Sequence, residues 1–142
     1  MKQINKCNCQ CGCGFTKKIL TISWQRLIDR GNTCPRCKST EDELEKAVQQ
    51  LNDKLGLLGI DVILEKTELL RDEFKKDPIE SNRILFNGRS LEDIIGAKTG
   101  QSQCCDMCGD EACRTVEIGG KTYETIPVEI IVKAGLKLAA DL

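Results

Sequence analysis

Two cysteines separated by two residues, lying between a strand-like run and an amphipathic helix, constrain the fold more than any other feature. Residues 18–24 are β-branched and apolar, which predicts a first strand, and a polar loop over residues 25–33 is expected to lead to Cys34 and Cys37. Residues 60–67 predict a second strand, so the segment indicates a parallel strand–helix–strand unit. The apolar stripe of the intervening helix consists of Leu44, Ala47, Val48, Leu51 and Leu55.

The start of this helix has its own sequence signal. Thr40 and Glu43 have the spacing of a capping box, in which a hydroxyl and a carboxylate satisfy early backbone amides. Gly56 and Gly59 mark its end. We therefore expect the helix to begin at Thr40 and the cysteine pair to lie in the preceding loop.

The remaining chain predicts short elements that alternate between helix and strand. Residues 97–113 lack a regular pattern and are expected to form a cysteine-bearing insert. The other predicted elements are a helix over residues 68–76, a strand over 83–86 closed by the turn Asn87–Gly88, a helix over 91–95 capped by Ser90, a hairpin over 114–125 turning at Gly119–Gly120, and a terminal helix starting near Pro127.

Composition limits the function classes. The formal net charge is −1 and aromatic residues make up 4% of the 142 residues, so neither a basic face nor a base-stacking surface for nucleic acid is expected. No apolar run is long enough to cross a membrane, and the polar N-terminus does not resemble a signal peptide. Ten cysteines without any histidine, in a chain expected to be cytoplasmic, point to redox chemistry or thiolate metal binding.

A second group of cysteines lies in the predicted flexible tail, residues 1–17. Its cysteines occupy every second position, so extended backbone would place them on one face, and the intervening glycines would allow the chain to curl around an ion. Two interpretations remain open: the segment binds a thiophilic metal or metalloid, or it is an oxidisable tail without a fixed role. The cysteines concerned are Cys7, Cys9, Cys11 and Cys13.

The order of these elements resembles the thioredoxin-like plan. Cys34-Pro35-Arg36-Cys37 is similar to the Cys-Pro-x-Cys site of glutaredoxins, and the segment from Ser81 to Gly88 resembles their entry into the third strand. From about residue 18 the chain also resembles an uncharacterised prokaryotic domain-of-unknown-function family assigned to that superfamily. The resemblance implies an α/β fold over residues 18–142, with a central mixed sheet flanked by helices and a cysteine-rich loop insert. The superfamily normally has a cis proline where this chain has Asn82.

The first functional hypothesis is thiol–disulfide exchange. Cys34 is expected to be the more exposed, attacking thiol, with Arg36 and Lys38 favouring its thiolate, and Cys37 is expected to resolve the mixed disulfide. The partner would be a protein or small-molecule disulfide. A related hypothesis is a module of this fold that binds a protein partner without turnover.

The alternative hypothesis is a non-enzymatic protein that binds a soft metal or metalloid such as zinc, copper or arsenic. Four thiolates from Cys34, Cys37, Cys105 and Cys108 would suit tetrahedral zinc if the fold brought them together. The late cysteines also form a self-contained candidate cluster. The metal-ligand candidates outside the pair are Cys7, Cys9, Cys11, Cys13, Cys104, Cys105, Cys108 and Cys113.

Overall fold

A computed structural model of the chain describes residues 18–29, 31–103 and 112–142, and these form a mixed α/β structure. The predicted tail therefore lies outside the described residues, as does most of the predicted insert. The described elements are β1 (Lys18–Asp29), β2 (Asn32–Thr33), α1 (Pro35–Leu55), β3 (Ile60–Leu69), α2 (Arg71–Lys76), β4 (Arg83–Phe86), β5 (Arg89–Ser90), α3 (Leu91–Ile95), β6 (Lys98–Ser102), β7 (Cys113–Ile118), β8 (Lys121–Tyr123) and α4 (Val128–Ala139). Short 3₁₀ turns follow α1 at Gly56–Leu58 and precede β4 at Pro78–Glu80.

The larger sheet is arranged around β1. Strand β3 pairs with it in parallel, while β4 pairs with its other edge in antiparallel orientation and continues to β5, giving the order β3-β1-β4-β5. The short β2 folds back on the end of β1. The parallel pairing of β1 and β3 across α1 confirms the predicted strand–helix–strand unit.

The prediction of a polar loop over residues 25–33 was wrong. Strand β1 continues to Asp29, and its polar second half pairs with β3 from Gln25 opposite Thr67 to Leu27 opposite Leu69. The polar side chains of this segment did not indicate a strand. Backbone pairing with neighbouring strands stabilises it, and one of its residues, Leu27, is buried.

The smaller sheet contains β6, β7 and β8 in that order, all antiparallel. The hairpin of β7 and β8 turns at Gly119–Gly120, as predicted, and both glycines have positive φ. Irregular structure was predicted throughout residues 97–113, but Lys98–Ser102 forms the third strand of this sheet. The sequence did not indicate this strand because, apart from Thr99, it consists of glycine and polar residues with little β propensity.

The core lies between α1, α4 and the larger sheet. Four of the five predicted stripe residues of α1 are buried, and Val48 packs partly against them. The helix predicted over residues 68–76 is shorter, because β3 continues to Leu69 and α2 begins at Arg71; Phe74 in α2 is buried, whereas Leu70 precedes the helix and is largely exposed. No helix in the described part of the chain is long and apolar enough to cross a membrane.

Candidate functional site

The first turn of α1 positions the cysteine pair. Strands β1 and β2 form a hairpin in which Ile28 pairs with Thr33, so the chain reaches Cys34 beside the end of β1. Helix α1 then begins at Pro35, whose fixed φ and missing amide hydrogen suit the first helical position. The predicted start at Thr40 was therefore wrong, and the pair belongs to the helix.

Cys34 is the N-cap of α1. Its Sγ accepts a hydrogen bond from the backbone N–H of Cys37 at 3.5 Å. Free amide groups and the helix dipole both stabilise negative charge at this end of a helix. The geometry therefore favours a thiolate on Cys34.

The surroundings of Cys37 favour the protonated form of its thiol. Its thiol donates a hydrogen bond to the Cys34 sulfur, and this bond, followed by burial, raises the pKa of Cys37 strongly. Negative charge on Cys34 and Cys113 raises the pKa further, while a backbone hydrogen bond at Leu27 opposes the shift. These effects together favour a protonated Cys37 thiol beside the Cys34 sulfur.

Both sulfurs are enclosed. The side chains of Cys34 and Cys37 are each 0% exposed, so the expectation that Cys34 would be the more accessible thiol was wrong. Both residues belong to the buried hydrophobic core. A reaction partner can reach either sulfur only after local movement of this region.

Arg36 contacts the ends of two other strands. Its guanidinium donates to the carbonyl oxygens of Ser102 and Gln103, each at 3.1 Å, and to Glu124 Oε2 at 3.0 Å. Ser102 Oγ donates to the same carboxylate oxygen at 2.8 Å. Arg36 therefore joins the start of α1 to the end of β6, and its predicted role in favouring the Cys34 thiolate stays a prediction.

Lys38, the other cation predicted to act on Cys34, also has acidic partners. Its Nζ lies 2.9 Å from Asp42 and 3.5 Å from Glu41 on the exposed side of α1. The hydrogen bond and negative charge of Asp42 raise the pKa of Lys38. Its charge is thus compensated within the helix.

Cys113 is the third described cysteine of the site. It begins β7 and pairs with Ser102, whose carbonyl oxygen Arg36 contacts. It is 1% exposed, and it lies close enough to Cys37 for its charge to raise the pKa of that thiol. The sequence grouped Cys113 with the late cluster because it lies in that stretch of chain, and no local signal connected it with Cys37.

Asn82 links the site to the sheet. Its Oδ1 accepts a hydrogen bond from the indole Nε1 of Trp24 at 3.1 Å, and its Nδ2 donates to the carbonyl oxygen of Glu124 at 3.4 Å. Asn82 is 2% exposed and has a φ of 57°. Asparagine tolerates this left-handed conformation better than most residues. The Asn82 side chain thus satisfies the buried indole N–H of Trp24.

Thr40 and Glu43 act on a different helix from the one predicted. Thr40 Oγ1 accepts from the backbone N–H of Ile126 at 3.3 Å, and Glu43 Oε1 accepts from that of Val128 at 3.2 Å. The capping-box interpretation was wrong because both side chains reach across to the start of α4. They satisfy the backbone amides on either side of Pro127, the N-cap of α4, whose side chain makes no capping hydrogen bond.

The metal hypothesis concerns mostly residues outside the described part of the chain. Of its eight candidate ligands, Cys113 is described. Within residues 18–29, 31–103 and 112–142, no three cysteine or carboxylate side chains are arranged to hold a metal ion. The remaining candidates, which all lie outside these ranges, are Cys7, Cys9, Cys11, Cys13, Cys104, Cys105 and Cys108.

Comparison with known proteins identifies relatives of this chain. Residues 20–135 match the family DUF2703, described as a domain of unknown function. A protein of Archaeoglobus fulgidus, described as uncharacterized, is 46% identical over 112 residues, which cover 79% of this chain and 82% of the relative. No solved structure matches.

Proposed function

This chain belongs to the DUF2703 family, and from the geometry of its cysteines we propose that it performs thiol–disulfide exchange at Cys34 and Cys37. Cys34 is the attacking sulfur and Cys37 the resolving one. The reaction partner is a protein or small-molecule disulfide. Both residues lie within the part of the chain that matches the family.

The observation that carries the proposal is the hydrogen bond from the backbone N–H of Cys37 to Cys34 Sγ at the N-terminus of α1. Attack on a disulfide requires a thiolate, and this position stabilises one. The strongly raised pKa of Cys37 keeps the second thiol protonated. One sulfur is thus prepared to attack, and the other retains its proton until a mixed disulfide has formed.

The arrangement of the larger sheet supports a thioredoxin-like assignment within this proposal. The order β3-β1-β4-β5 contains one parallel pair and two antiparallel pairs, so this sheet is mixed, as a thioredoxin-like sheet would be. The cysteine pair lies at the start of the helix that follows the β1–β2 hairpin, which also supports this assignment. Asn82 has a trans peptide bond and a positive φ, and it stands where the thioredoxin-like superfamily normally has a cis proline.

Burial of both sulfurs affects the expected kinetics. Because Cys34 is fully buried, exchange must follow a local opening of the packed region. We expect the rate with a small disulfide to rise at low denaturant concentrations that leave the global fold intact. The open population, which grows with denaturant, then sets the rate.

Site-resolved trapping tests the proposed exchange. Reduced protein is mixed with 2-hydroxyethyl disulfide, quenched with acid, alkylated and mapped by mass spectrometry. Wild-type protein is expected to form a Cys34–Cys37 disulfide. Cys37→Ser should accumulate a mixed disulfide on Cys34, because the resolving thiol is absent, and Cys34→Ser should form neither product.

Cys113→Ser is a matched control, since Cys113 is buried to the same degree as the pair. It should still form the Cys34–Cys37 disulfide. A Cys34→Ser protein that reacts at Cys37 as fast as wild type would overturn the proposal. Elemental analysis of the same reduced protein should find no metal bound to the pair; stoichiometric metal that protects Cys34 from alkylation would favour metal binding instead.

A further inference from the structure

Cys113 is a buried thiol that exchange between Cys34 and Cys37 does not use. It is the first residue of β7, and antiparallel pairing places it opposite Ser102. The Ser102 carbonyl oxygen accepts a hydrogen bond from Arg36, which lies between the two paired cysteines in the first turn of α1. Three sulfur atoms from two distant parts of the chain thus lie in one buried region.

The electrostatics agree with this placement. Charge on Cys113 contributes to the raised pKa of Cys37, and the effect requires the two sulfurs to be near each other. The buried guanidinium of Arg36 has three acceptors, one of which is the carbonyl oxygen of Ser102, the residue opposite Cys113 in the sheet. The pairing of β6 with β7 and the contact of Arg36 with β6 thus bring the strand that carries Cys113 next to the start of α1.

Building on the proposed exchange at Cys34 and Cys37, we infer that Cys113 is a third redox thiol that moves the disulfide from Cys34–Cys37 to Cys37–Cys113. Cys37 is the sulfur shared by both disulfides. The site then has two oxidised forms, which differ in whether Cys34 is bonded or released. Cys113 regulates the exchange reaction at the proposed pair.

Each step exchanges one thiolate for another. The Cys34 thiolate attacks a substrate disulfide and expels one thiolate, and Cys37 then loses its proton, attacks Cys34 Sγ and expels the second thiolate. The Cys113 thiolate finally attacks Cys37 Sγ. The Cys37–Cys113 bond forms as the Cys34–Cys37 bond breaks, and the electron pair of the broken bond leaves on Cys34. The substrate disulfide is the oxidant throughout.

The second oxidised form changes what the site can do. Cys34 is again a thiolate at the N-terminus of α1, but its resolving thiol is now held by Cys113. A second disulfide that reacts with Cys34 therefore remains attached as a mixed disulfide. When disulfide is in excess, Cys113 thus changes the site from one that completes disulfide exchange to one that retains a mixed disulfide on Cys34.

Peptide mapping of the full chain tests this inference without relying on a variant. Trypsin cleaves after Arg36 and separates Cys34 from Cys37, and Glu-C cleaves after Glu111 and separates Cys113 from the other late cysteines. Reduced protein is treated with one equivalent of 2-hydroxyethyl disulfide and quenched with acid over time. We expect the Cys34–Cys37 disulfide first and the Cys37–Cys113 disulfide later, with the Cys34 thiol reappearing in parallel.

Excess disulfide provides the second readout. Wild-type protein should accumulate molecules that carry both a Cys37–Cys113 disulfide and a mixed disulfide on Cys34. Cys113→Ser and Cys113→Ala should both lose this species while retaining the Cys34–Cys37 disulfide. Protein unfolded in guanidinium before oxidation is the control for random pairing and should lose the preference for Cys37–Cys113.

The failures of the two proposals are distinguishable. Formation of Cys34–Cys37 without any Cys37–Cys113 would overturn the role of Cys113 and leave the proposed exchange intact. If no Cys34–Cys37 disulfide forms, both proposals fall. A Cys37–Cys113 disulfide that appears in equal amount in unfolded protein would also overturn the inference.

Discussion

At the scale of single residues, the Cys37 thiol combines three local effects. It donates a hydrogen bond to Cys34, it is fully buried, and it lies near the charge of Cys113. All three favour the protonated form, because each makes a second negative charge in the same region more costly. One residue thus links the chemistry of the site to the stability of the fold.

This linkage predicts a pH dependence of stability under reducing conditions. The pKa of Cys37 is raised above its ordinary value of 9.0 in the folded protein. Below that pH the thiol is protonated in both states. At higher pH the unfolded chain releases the proton while the folded protein keeps it, so the free energy of unfolding falls by up to about 1.4 kcal/mol per pH unit for this one group.

Urea unfolding of wild-type protein and Cys37→Ala between about pH 7 and about pH 10 measures the effect. The two proteins share the other titrating cysteines of the unfolded chain, so the difference in slope reports Cys37. We expect a steeper decline in wild type above pH 9.0. Parallel curves would show that the thiol ionises as easily in the folded protein as in the unfolded chain.

At the scale of elements, α1 and α4 approach closely at one glycine. A Cβ atom on Gly135 would lie 2.6 Å from Leu51 Cδ1 and 2.9 Å from Leu51 Cδ2. Leu51 is fully buried, so its side chain has little room to move away. The predicted apolar stripe of α1 is thus matched by a residue without a side chain on α4.

Gly135→Ala should therefore destabilise the protein. Crowding against Leu51 is expected to cost about 1–3 kcal/mol, which exceeds the gain of about 1 kcal/mol from replacing a helical glycine. Thermal or urea unfolding provides the measurement. In a Leu51→Ala background, where the obstructing atoms are absent, the same change should be neutral or stabilising. Stabilisation in the wild-type background would contradict the close approach.

At the scale of the whole molecule, a buried ion pair joins the smaller sheet to the rest of the fold. Arg114 on β7 contacts Glu92 on α3 at 2.9 Å, and it also donates to the carbonyl oxygen of Ile79 and to Thr99 Oγ1. Both charged side chains are 7% exposed. Arg114 directly follows Cys113, so the same interaction helps to fix the third thiol.

Removing one member of this pair should cost more than replacing both. Arg114→Met leaves the Glu92 carboxylate buried without its counter-ion, and a loss of about 3–5 kcal/mol is expected. The double variant with Glu92→Gln should recover part of it, since no uncompensated charge remains. A double-mutant cycle by urea unfolding measures the coupling. Additive losses would indicate that the two charges are solvated independently.

The sequence determined the elements whose signals are local. The apolar stripe of α1, the Asn87–Gly88 and Gly119–Gly120 turns and the Ser90 cap of α3 are present as predicted, because each depends on residues within a few positions of one another. The parallel pairing of β1 and β3 also followed, since the intervening helix requires it. The cysteine pair was likewise found from its own spacing.

Tertiary structure decided the features that depend on distant partners. The polar half of β1 is a strand because two other segments pair with it, and β6 exists because β7 lies beside it. Thr40 and Glu43 have the spacing of a capping box but bind the backbone at the start of α4. In each case a hydrogen-bond donor or acceptor from far along the chain replaced the local partner that the pattern suggested.

The candidate site follows the same division. Spacing identified Cys34 and Cys37, but the position of Cys34 as N-cap depends on where α1 begins, and the helix starts at Pro35. The nearness of Cys113 depends on the pairing of β6 with β7 and on the contact of Arg36 with Ser102. Local sequence fixes where the cysteines lie along the chain, whereas long-range backbone pairing brings Cys113 near Cys37.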